Sequence, residues 1–323
     1  MSHLQIIGRS PLNWEGRDGT LYRVRHPHAI IGRDDIDDVL SHFPLAVFQP
    51  PGRNPSETPL IIGLQGMGAP MHWNAFAVPT LLDMGIACAF FDTPFAGERS
   101  LIRDDDAPFI RQLVPFAKMG VTVRLPNLVA MFEAVASDVR ATLDFLRGEH
   151  GLTSPRVAVF GVSLGCLLGS LAFAKYGVGS RMLGVIGHPD LANFARTYTP
   201  QAAPLLTSIP GRMVAHLLSL RDPYPKTVVR FLMLLKSLAA GRTPEIDPLK
   251  FRDRVTADRR LRLLVGELDP VVSTEDAEKA ASQFPDGEAY VVPGMCHGEV
   301  ASGPTFVEHV RTYIGTQLGD WRG

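Results

Sequence analysis

The stretch Arg156-Val-Ala-Val-Phe-Gly161-Val-Ser163-Leu-Gly165 decides how the rest of the chain is interpreted. Its first half is a short, almost wholly apolar run, which predicts a strand buried on both faces. The run leads directly into Gly-x-Ser-x-Gly, and an apolar helical segment follows from Leu164 to about Tyr176. A strand that turns sharply into a helix strains its central residue, and glycines two positions away on either side remove side chains that would clash.

This arrangement gives Ser163 a specific chemical environment. The turn holds its hydroxyl at a helix N-terminus, where the helix dipole and the N-terminal backbone N–H groups favour negative charge. A Gly-x-Ser-x-Gly string by itself also occurs in plain glycine-rich turns. The strand before it and the helix after it favour a catalytic nucleophile instead.

The overall composition narrows the class of protein. The chain has 323 residues, of which 32 are basic, 33 are acidic and 46% are hydrophobic. This charge balance gives no global field that would recruit nucleic acid or an anionic membrane, and the hydrophobic content is ample for a large core. We expect no secretory signal, because Met1–Ser10 lacks the basic and apolar regions of one, and no membrane span.

The cysteines indicate a reducing environment. Cys88, Cys166 and Cys296 are an odd number without a C-x-x-C pair, which argues against a disulfide framework. We therefore expect a soluble, cytoplasmic protein. Two thiols near Ser163 and His297 give poor support for a metal site, so we expect Cys166 and Cys296 to be small buried hydrophobes, with no metal and no cofactor.

Strand-like and helical patterns alternate along most of the chain. Further apolar runs predict strands at Leu60–Leu64, Ile86–Phe91, Met182–Ile186, Leu261–Val265 and Ala289–Val292. A helix is predicted over Asn127–Arg147, capped by Asn127, with one apolar face against the sheet. The expected fold is α/β, a mostly parallel sheet covered on both faces, with its chemistry beyond the carboxyl ends of the strands.

Two regions depart from this alternation. Residues 1 to about 50 show short β-like pieces, with Asp18-Gly19 as a hairpin-type turn, and predict an antiparallel edge. From about Leu191 to Asp258, prolines punctuate two helical runs near Met213–Leu220 and Thr227–Ala240. We interpret 190–258 as a helical cap inserted into a core of 1–189 and 259–323. Its excess of basic residues fits either a solvated helix face or a pocket for an anionic substrate tail.

Polar residues follow three of the predicted strands. Gln65-Gly66-Met67-Gly68 follows the strand at 60–64, and its glycines allow backbone N–H groups to face a cavity. We predict the N–H groups of Met67 and Leu164 as the donors of an oxyanion hole. Asp269 and His297 follow the strands at 261–265 and 289–292.

These residues suit a single chemistry. A serine hydroxyl is a poor nucleophile near neutral pH, so an imidazole must take its proton and a buried carboxylate must orient that imidazole. We predict Ser163 as the nucleophile, His297 as the general base and later the general acid, and Asp269 as the orienting carboxylate. Among other residues at predicted strand ends, Asp190 is an alternative acid, and His188 and His72 are alternative bases.

The combination of Gly161-Val-Ser163-Leu-Gly165, Gly266-Glu-Leu-Asp269-Pro-Val and Gly294-Met-Cys-His297-Gly resembles the α/β-hydrolase superfamily of serine hydrolases. The resemblance covers about Pro59 to Tyr313 and keeps the chain order of serine, acid and histidine. It implies the α/β-hydrolase fold with a helical cap.

Two segments depart from the pattern of that superfamily. Gln65-Gly66 stands where many relatives have His-Gly. Phe95 replaces the first glycine of an Asp-x-Pro-Gly-x-Gly-x-Ser loop that begins at Asp92, and Ser100 falls one position late. We expect Gln65, Phe95 and His188 to contribute to substrate binding.

The function expected from this resemblance is hydrolysis of a carboxylic ester through an acyl-enzyme on Ser163, with a small-molecule ester or acyl compound as the partner. A thioesterase or an acyltransferase would use the same three residues. A non-catalytic binding protein on the same fold is a third interpretation, because fold does not fix function.

Overall fold

One continuous sheet organises the residues that the computed structural model describes, which are 4–66, 68–100, 124–197, 233–234, 236–297 and 304–321. Within these residues the sheet has nine strands in the order β1-β2-β3-β5-β4-β6-β7-β8-β9. The strands are β1 (Gln5–Trp14), β2 (Arg17–Arg25), β3 (His42–Phe48), β4 (Leu60–Leu64), β5 (Ala87–Phe91), β6 (Val157–Val162), β7 (Arg181–Val185), β8 (Arg260–Gly266) and β9 (Gly287–Val292).

The strand pairing changes once across the sheet, from antiparallel to parallel. β1, β2, β3 and β5 pair antiparallel, whereas β5, β4, β6, β7, β8 and β9 pair parallel. This confirms the expected mostly parallel sheet with an antiparallel N-terminal edge. Because the six parallel strands run in one direction, their carboxyl ends meet at one edge of the sheet.

Helices cover both faces of this sheet. In chain order the helices with defined bounds are α1 (Asp34–Ser41), α2 (Ala77–Asp83), α3 (Leu125–His150), α4 (Leu164–Tyr176), α5 (Leu191–Thr197), α6 (Thr274–Ala281) and α7 (Pro304–Gln317), and residues 233–234 and 236–239 are also helical. Among the described helices, none combines the length and apolarity that crossing a membrane would require.

The position of β6 in the middle of the sheet explains why its sequence is apolar throughout. Val157 and Val159 lie in a core cluster with residues of α3 and α4, while Ala158 and Phe160 lie in a second cluster with residues of α2 and α7. Successive side chains of a strand point to opposite faces, so a strand covered on both sides must be apolar at every position.

The first hairpin turns three residues earlier than the sequence predicted. Its turn is Glu15-Gly16, with φ values of 51° and 75°, and Asp18 and Gly19 lie inside β2. Two central residues with positive φ give the twist that a two-residue hairpin needs. Gly19 has a different role, because a Cβ atom there would lie 2.5 Å from the ring of Phe48.

Helix α3 is longer than predicted and is capped differently. It spans Leu125–His150, and Arg124 is the N-cap residue. Asn127 lies inside the first turn, where its Oδ1 accepts a hydrogen bond from the Arg124 N–H at 2.8 Å. Its Nδ2 donates to the carbonyl of Ile30 at 2.8 Å and ties the helix start to the N-terminal region.

The cap stays a prediction. Residues 198–232, which include the expected helix Met213–Leu220 and the start of the expected helix Thr227–Ala240, lie outside the described residues. The described parts of 190–258 include α5 and two 3-10 segments, Pro244–Ile246 and Pro248–Arg254.

A buried ionic cluster joins α3 to the antiparallel edge. Asp138, fully buried in the middle of α3, accepts hydrogen bonds at 2.6 Å from Arg99 Nη1, 2.6 Å from His26 Nδ1 and 2.7 Å from His28 Nε2. Arg99, also fully buried, donates through Nε to the carbonyl of Leu40 at 2.6 Å. Burial alone would raise the pKa of Asp138, but Arg99 and the two imidazoles lower it well below its ordinary value.

Replacing Asp138 by Asn should therefore destabilise the fold strongly. The Arg99 guanidinium would stay buried without its counter-charge, which costs about 3–5 kcal/mol in the free energy of unfolding. Asp144→Asn is the matched control, because Asp144 lies on the same helix and is exposed. Urea unfolding of both variants measures the difference, and equal stabilities would contradict the role given to Asp138.

The contribution of Asp138 should also depend on pH. Because its folded pKa lies below the ordinary value of about 3.9, the stabilisation is complete above about pH 4 and is lost as the pH falls further. We expect the free energy of unfolding to fall more steeply below pH 4 in the wild type than in Asp138→Asn.

Candidate active site

Ser163 lies at the junction of β6 and α4 in a strained backbone conformation. Its φ and ψ are 52° and −116°, a region that residues other than glycine seldom adopt. The Ser163 N–H donates to the carbonyl of Val185 on the neighbouring strand β7 at 2.8 Å. This hydrogen bond holds the turn against the sheet, and it also means that the Ser163 N–H already has a partner.

The two glycines of the motif are required by close backbone contacts. A Cβ atom on Gly161 would lie 2.2 Å from the carbonyl oxygen of Gly165. A Cβ atom on Gly165 would lie 2.6 Å from the carbonyl oxygens of both Leu64 and Gln65. The start of α4 therefore packs directly on the end of β4, which leaves no room for a side chain.

His297 and Asp269 reach Ser163 from the loops after β9 and β8. The Oγ atom of Ser163 lies 3.2 Å from Nε2 of His297, and Nδ1 of His297 lies 2.7 Å from Oδ2 of Asp269. The other carboxylate oxygen of Asp269 accepts hydrogen bonds from the N–H groups of Val271 and Val272 at 2.8 and 2.9 Å. The structure thus brings together the three residues that the sequence singles out.

Asp269 and His297 differ in how far their side chains are buried, and the difference suits their roles. The side chain of Asp269 is fully buried, whereas that of His297 is 18% exposed. A buried carboxylate on Nδ1 favours the tautomer with a proton on that nitrogen, which leaves Nε2 as an acceptor for the Ser163 hydroxyl. The partly exposed imidazole can then exchange its proton with a substrate or a water molecule.

One predicted donor of the oxyanion hole can be placed. Leu164 is the first residue of the 13-residue helix α4, and the first N–H groups of a helix have no partner within the helix. Met67 lies outside the described residues. The neighbouring Gly66 lies against the turn, since a Cβ atom there would be 3.6 Å from Cβ of Ser163.

The alternative acid and bases lie in other environments. Asp190 accepts a hydrogen bond from the Asn193 N–H at 2.8 Å, at the start of α5. His188 is fully buried, its Nδ1 accepts from the Asp190 N–H at 3.2 Å, and burial lowers its pKa. His72 is exposed. Among the described residues, the imidazole that contacts Ser163 is that of His297.

A cavity of about 150 Å³ borders Ser163 and His297. Its described walls include two amide side chains and four apolar ones, namely Gln65, Asn74, Trp73, Phe76, Ile186 and Phe306. Only Gln65 of these was predicted from sequence. The others come from a 3-10 helix at Met71–Asn74, from the N-cap of α2, from the residue after β7 and from α7, and these segments carry no motif.

Phe95 and His188 do not form part of the described wall of this cavity. Phe95 is 3% exposed and packs in the hydrophobic core on the face that carries α3 and α4. Its φ of 67° belongs to the tight loop after β5, in which Asp92 accepts hydrogen bonds from the N–H groups of Met71 and Glu98. The loop turns the Phe95 ring toward the core.

The cysteines and the ionic cluster bear on metal binding. Burial raises the pKa of the Cys166 thiol to about 12, so it stays neutral and is a poor metal ligand. Cys296 is half-buried. His26, His28 and Asp138 have the spacing of metal ligands, but the Arg99 guanidinium occupies the second carboxylate oxygen and opposes a cation there.

We expect Gly161→Ala to disrupt the turn at Ser163. The added methyl group would overlap backbone atoms that cannot move aside, which should cost about 1–3 kcal/mol or more in the free energy of unfolding. Gly148→Ala adds the same methyl group to α3 in open space and should be neutral or slightly stabilising. Chemical denaturation of the two variants separates steric overlap at Gly161 from the effect of adding a methyl group to any glycine. Equal stabilities of the two variants would contradict the overlap.

Comparisons with known proteins find similar solved structures. No model of a protein family matches the chain, and no curated protein matches it by sequence. An acetyl xylan esterase from Paenibacillus sp. R4 superposes with a TM-score of 0.60 at 16% identity, over 98% of this chain and 89% of the esterase.

Two further solved structures have the same architecture. Est1E from Butyrivibrio proteoclasticus, in complex with ferulic acid, has a TM-score of 0.54 at 16% identity, over 87% of this chain and 95% of Est1E. The 2,6-dihydroxy-pseudo-oxynicotine hydrolase has a TM-score of 0.55 at 15% identity, over 98% of this chain and 68% of that hydrolase. Together with the sheet order, these similarities show that the chain has the α/β-hydrolase fold.

Proposed function

We propose that this protein is a serine hydrolase that cleaves carboxylic esters through an acyl-enzyme intermediate on Ser163. One observation carries the proposal: a continuous hydrogen-bond chain from Ser163 through His297 to the buried Asp269, with separations of 3.2 and 2.7 Å. Neither a buried core histidine nor a plain glycine turn needs this arrangement. A nucleophile, a base and an orienting acid do need it.

The first half of the proposed reaction forms the acyl-enzyme. Ser163 Oγ attacks the ester carbonyl while Nε2 of His297 takes the hydroxyl proton, and Asp269 stabilises the resulting imidazolium. The tetrahedral intermediate then collapses, the bond between the carbonyl carbon and the alcohol oxygen breaks, and His297 gives its proton to the departing alcohol. The acyl group remains bonded to Ser163.

The second half regenerates the enzyme. A water molecule attacks the acyl carbonyl, His297 takes its proton, and the bond between the acyl carbon and Ser163 Oγ breaks as that oxygen is protonated again. In both halves the negative charge on the carbonyl oxygen needs donors. We assign that role to the N–H groups of Leu164 and Met67, because Leu164 begins α4 and the Ser163 N–H is already bonded to Val185.

The choice of an ester rests on two supporting points. Solved structures of similar fold include an acetyl xylan esterase and Est1E, which was solved with ferulic acid bound. The cavity beside Ser163 has mostly apolar walls and a small volume, which suits an uncharged acyl group. A thioesterase or an acyltransferase would share the same acyl-enzyme and would differ in the group that leaves or accepts.

Ser163→Ala should abolish turnover of p-nitrophenyl esters, with kcat falling about 10⁴-fold or more. The same variant should no longer react with a fluorophosphonate probe, which labels activated serines. Ser170→Ala on the same helix is the matched control and should keep both activity and labelling. Labelling that persists in Ser163→Ala would eliminate the proposed nucleophile, and turnover of acyl-thioesters without any turnover of esters would favour the thioesterase.

The identity of the acid can be tested by a pair of conservative variants. Asp269→Asn keeps an oxygen for the N–H groups of Val271 and Val272 but loses the charge on His297, so we expect kcat to fall about 10³–10⁴-fold. Asp190→Asn keeps a helix-capping side chain and should change kcat by less than tenfold. The reverse pattern in steady-state assays would make Asp190 the acid.

A further inference from the structure

The side chain of Trp73 is exposed beside the proposed nucleophile. Trp73 is 40% exposed, and it lines the cavity that borders Ser163 and His297. Five other large apolar side chains are exposed among the described residues, and none of these five lines this cavity. An indole that stays in water forgoes the favourable free energy of burial, so its position at the candidate site calls for an explanation.

The chain has three tryptophans, and the other two are packed against a ring or a cation. The ring of Trp14 lies 5.2 Å from that of Phe48, measured between centroids. Trp321 is 5% exposed, and the Arg181 guanidinium lies over its ring at 4.6 Å from the centroid. Among the described residues, no aromatic ring and no cation contacts the indole of Trp73 in this way. Its ring is thus open to a group that arrives with a bound molecule.

A short helix ties the backbone of Trp73 to the sheet. Trp73 lies in the 3-10 helix Met71–Asn74, and its N–H donates to the carbonyl of Pro70 at 3.1 Å. At the start of this helix, the Met71 N–H donates to the Asp92 carboxylate at 2.7 Å. Asp92 directly follows β5, so the helix is anchored at the edge of the sheet where β6 ends in Ser163.

The other walls of the cavity have a similar character. Phe76 and Phe306 line it and pack edge to face, with ring centroids 6.3 Å apart. Three of the eleven described lining residues are aromatic, whereas aromatic residues make up 8% of the chain, so this wall favours a ring over other apolar groups. Apart from His297, no acidic or basic side chain lies in the described lining, which disfavours an ionised group there.

An aromatic ring gains more from such a wall than a saturated group of the same size. Both groups bury apolar area, but two aromatic rings also attract each other through their quadrupoles when they are offset-stacked or edge to face. This additional attraction corresponds to about 2- to 12-fold in a binding or specificity constant.

We propose that Trp73 packs against an uncharged aromatic ring of the ester and is a specificity-determining residue for the reaction at Ser163. The inference rests on the proposed ester hydrolysis and names its substrate class, esters with an aromatic ring close to the scissile bond. The ring belongs to the acyl group or to the alcohol, because the cavity borders both Ser163, which takes the acyl group, and His297, which protonates the alcohol.

Two pairs of esters of matched size test this inference. Methyl phenylacetate and methyl cyclohexylacetate differ in the ring of the acyl group, and benzyl acetate and cyclohexylmethyl acetate differ in the ring of the alcohol. The measured quantity is kcat/KM for the aromatic ester divided by kcat/KM for the saturated one. Dividing this ratio by the same ratio for hydrolysis by hydroxide alone removes the intrinsic difference in reactivity. The normalised ratio should be about 2 to 12 in one of the pairs, and that pair shows which side of the ester carries the ring.

Variants then assign the preference to the indole. Trp73→Leu keeps an apolar side chain but removes the ring, so the normalised ratio should fall to about one. Trp73→Phe keeps a ring and should retain most of the ratio. Trp14→Leu makes the same substitution in the first hairpin, outside the cavity lining, and should leave the ratio unchanged. Because Trp73 is exposed, Trp73→Leu should unfold at the wild-type urea concentration.

The outcomes separate this inference from the proposed function. A normalised ratio of one in both pairs, or a ratio that Trp73→Leu leaves unchanged, would overturn the inference and leave ester hydrolysis standing. Equal losses on the aromatic and the saturated ester in Trp73→Leu would also overturn it, because the indole would then supply apolar area only. The absence of turnover on these esters and on p-nitrophenyl esters alike would overturn the proposed function and the inference together.

Discussion

The close approach of two backbone segments at Gly161 and Gly165 is the constraint on which the site depends. The carbonyl oxygens of Leu64 and Gln65 lie where a side chain of Gly165 would be, and the Gly165 carbonyl lies where a side chain of Gly161 would be. This contact presses the start of α4 onto the end of β4. Ser163 keeps its strained backbone because its surroundings leave it no alternative.

The same contact places Ser163 at the edge of the sheet where the other residues of the candidate site lie. Since β4, β6, β7, β8 and β9 run parallel, the loops that carry Gln65, Ser163, Asp269 and His297 emerge at one edge of the sheet. Fixing the turn at Ser163 therefore places its hydroxyl within 3.2 Å of an imidazole that comes from a loop 134 residues later. The fully buried Asp269, anchored by two backbone N–H groups, fixes that imidazole in turn.

The buried cluster around Asp138 supports the site indirectly. Arg99, which pairs with Asp138, also donates to the carbonyl of Asp92 at 3.2 Å. The carboxylate of Asp92 holds the Met71 N–H, and the 3-10 helix that begins there ends at Asn74 in the cavity wall. A buried charge in α3 is thus connected by three hydrogen bonds to the segment that lines the cavity beside Ser163.

The sequence by itself determined the fold class, the strand-turn-helix at Ser163 and the order of Ser163, Asp269 and His297, because periodicity and glycine spacing are local properties of the chain. The tertiary structure decided what depends on distant contacts. It set the hairpin turn at Glu15-Gly16 rather than at Asp18-Gly19. Gly19 lies in β2, where the ring of Phe48 leaves no room for a side chain. The tertiary structure also placed the Phe95 side chain in the core. It also brought Asn74 into the wall of the cavity beside Ser163, since a 3-10 helix without a motif acquires its place only when it packs against the loop at Asp92.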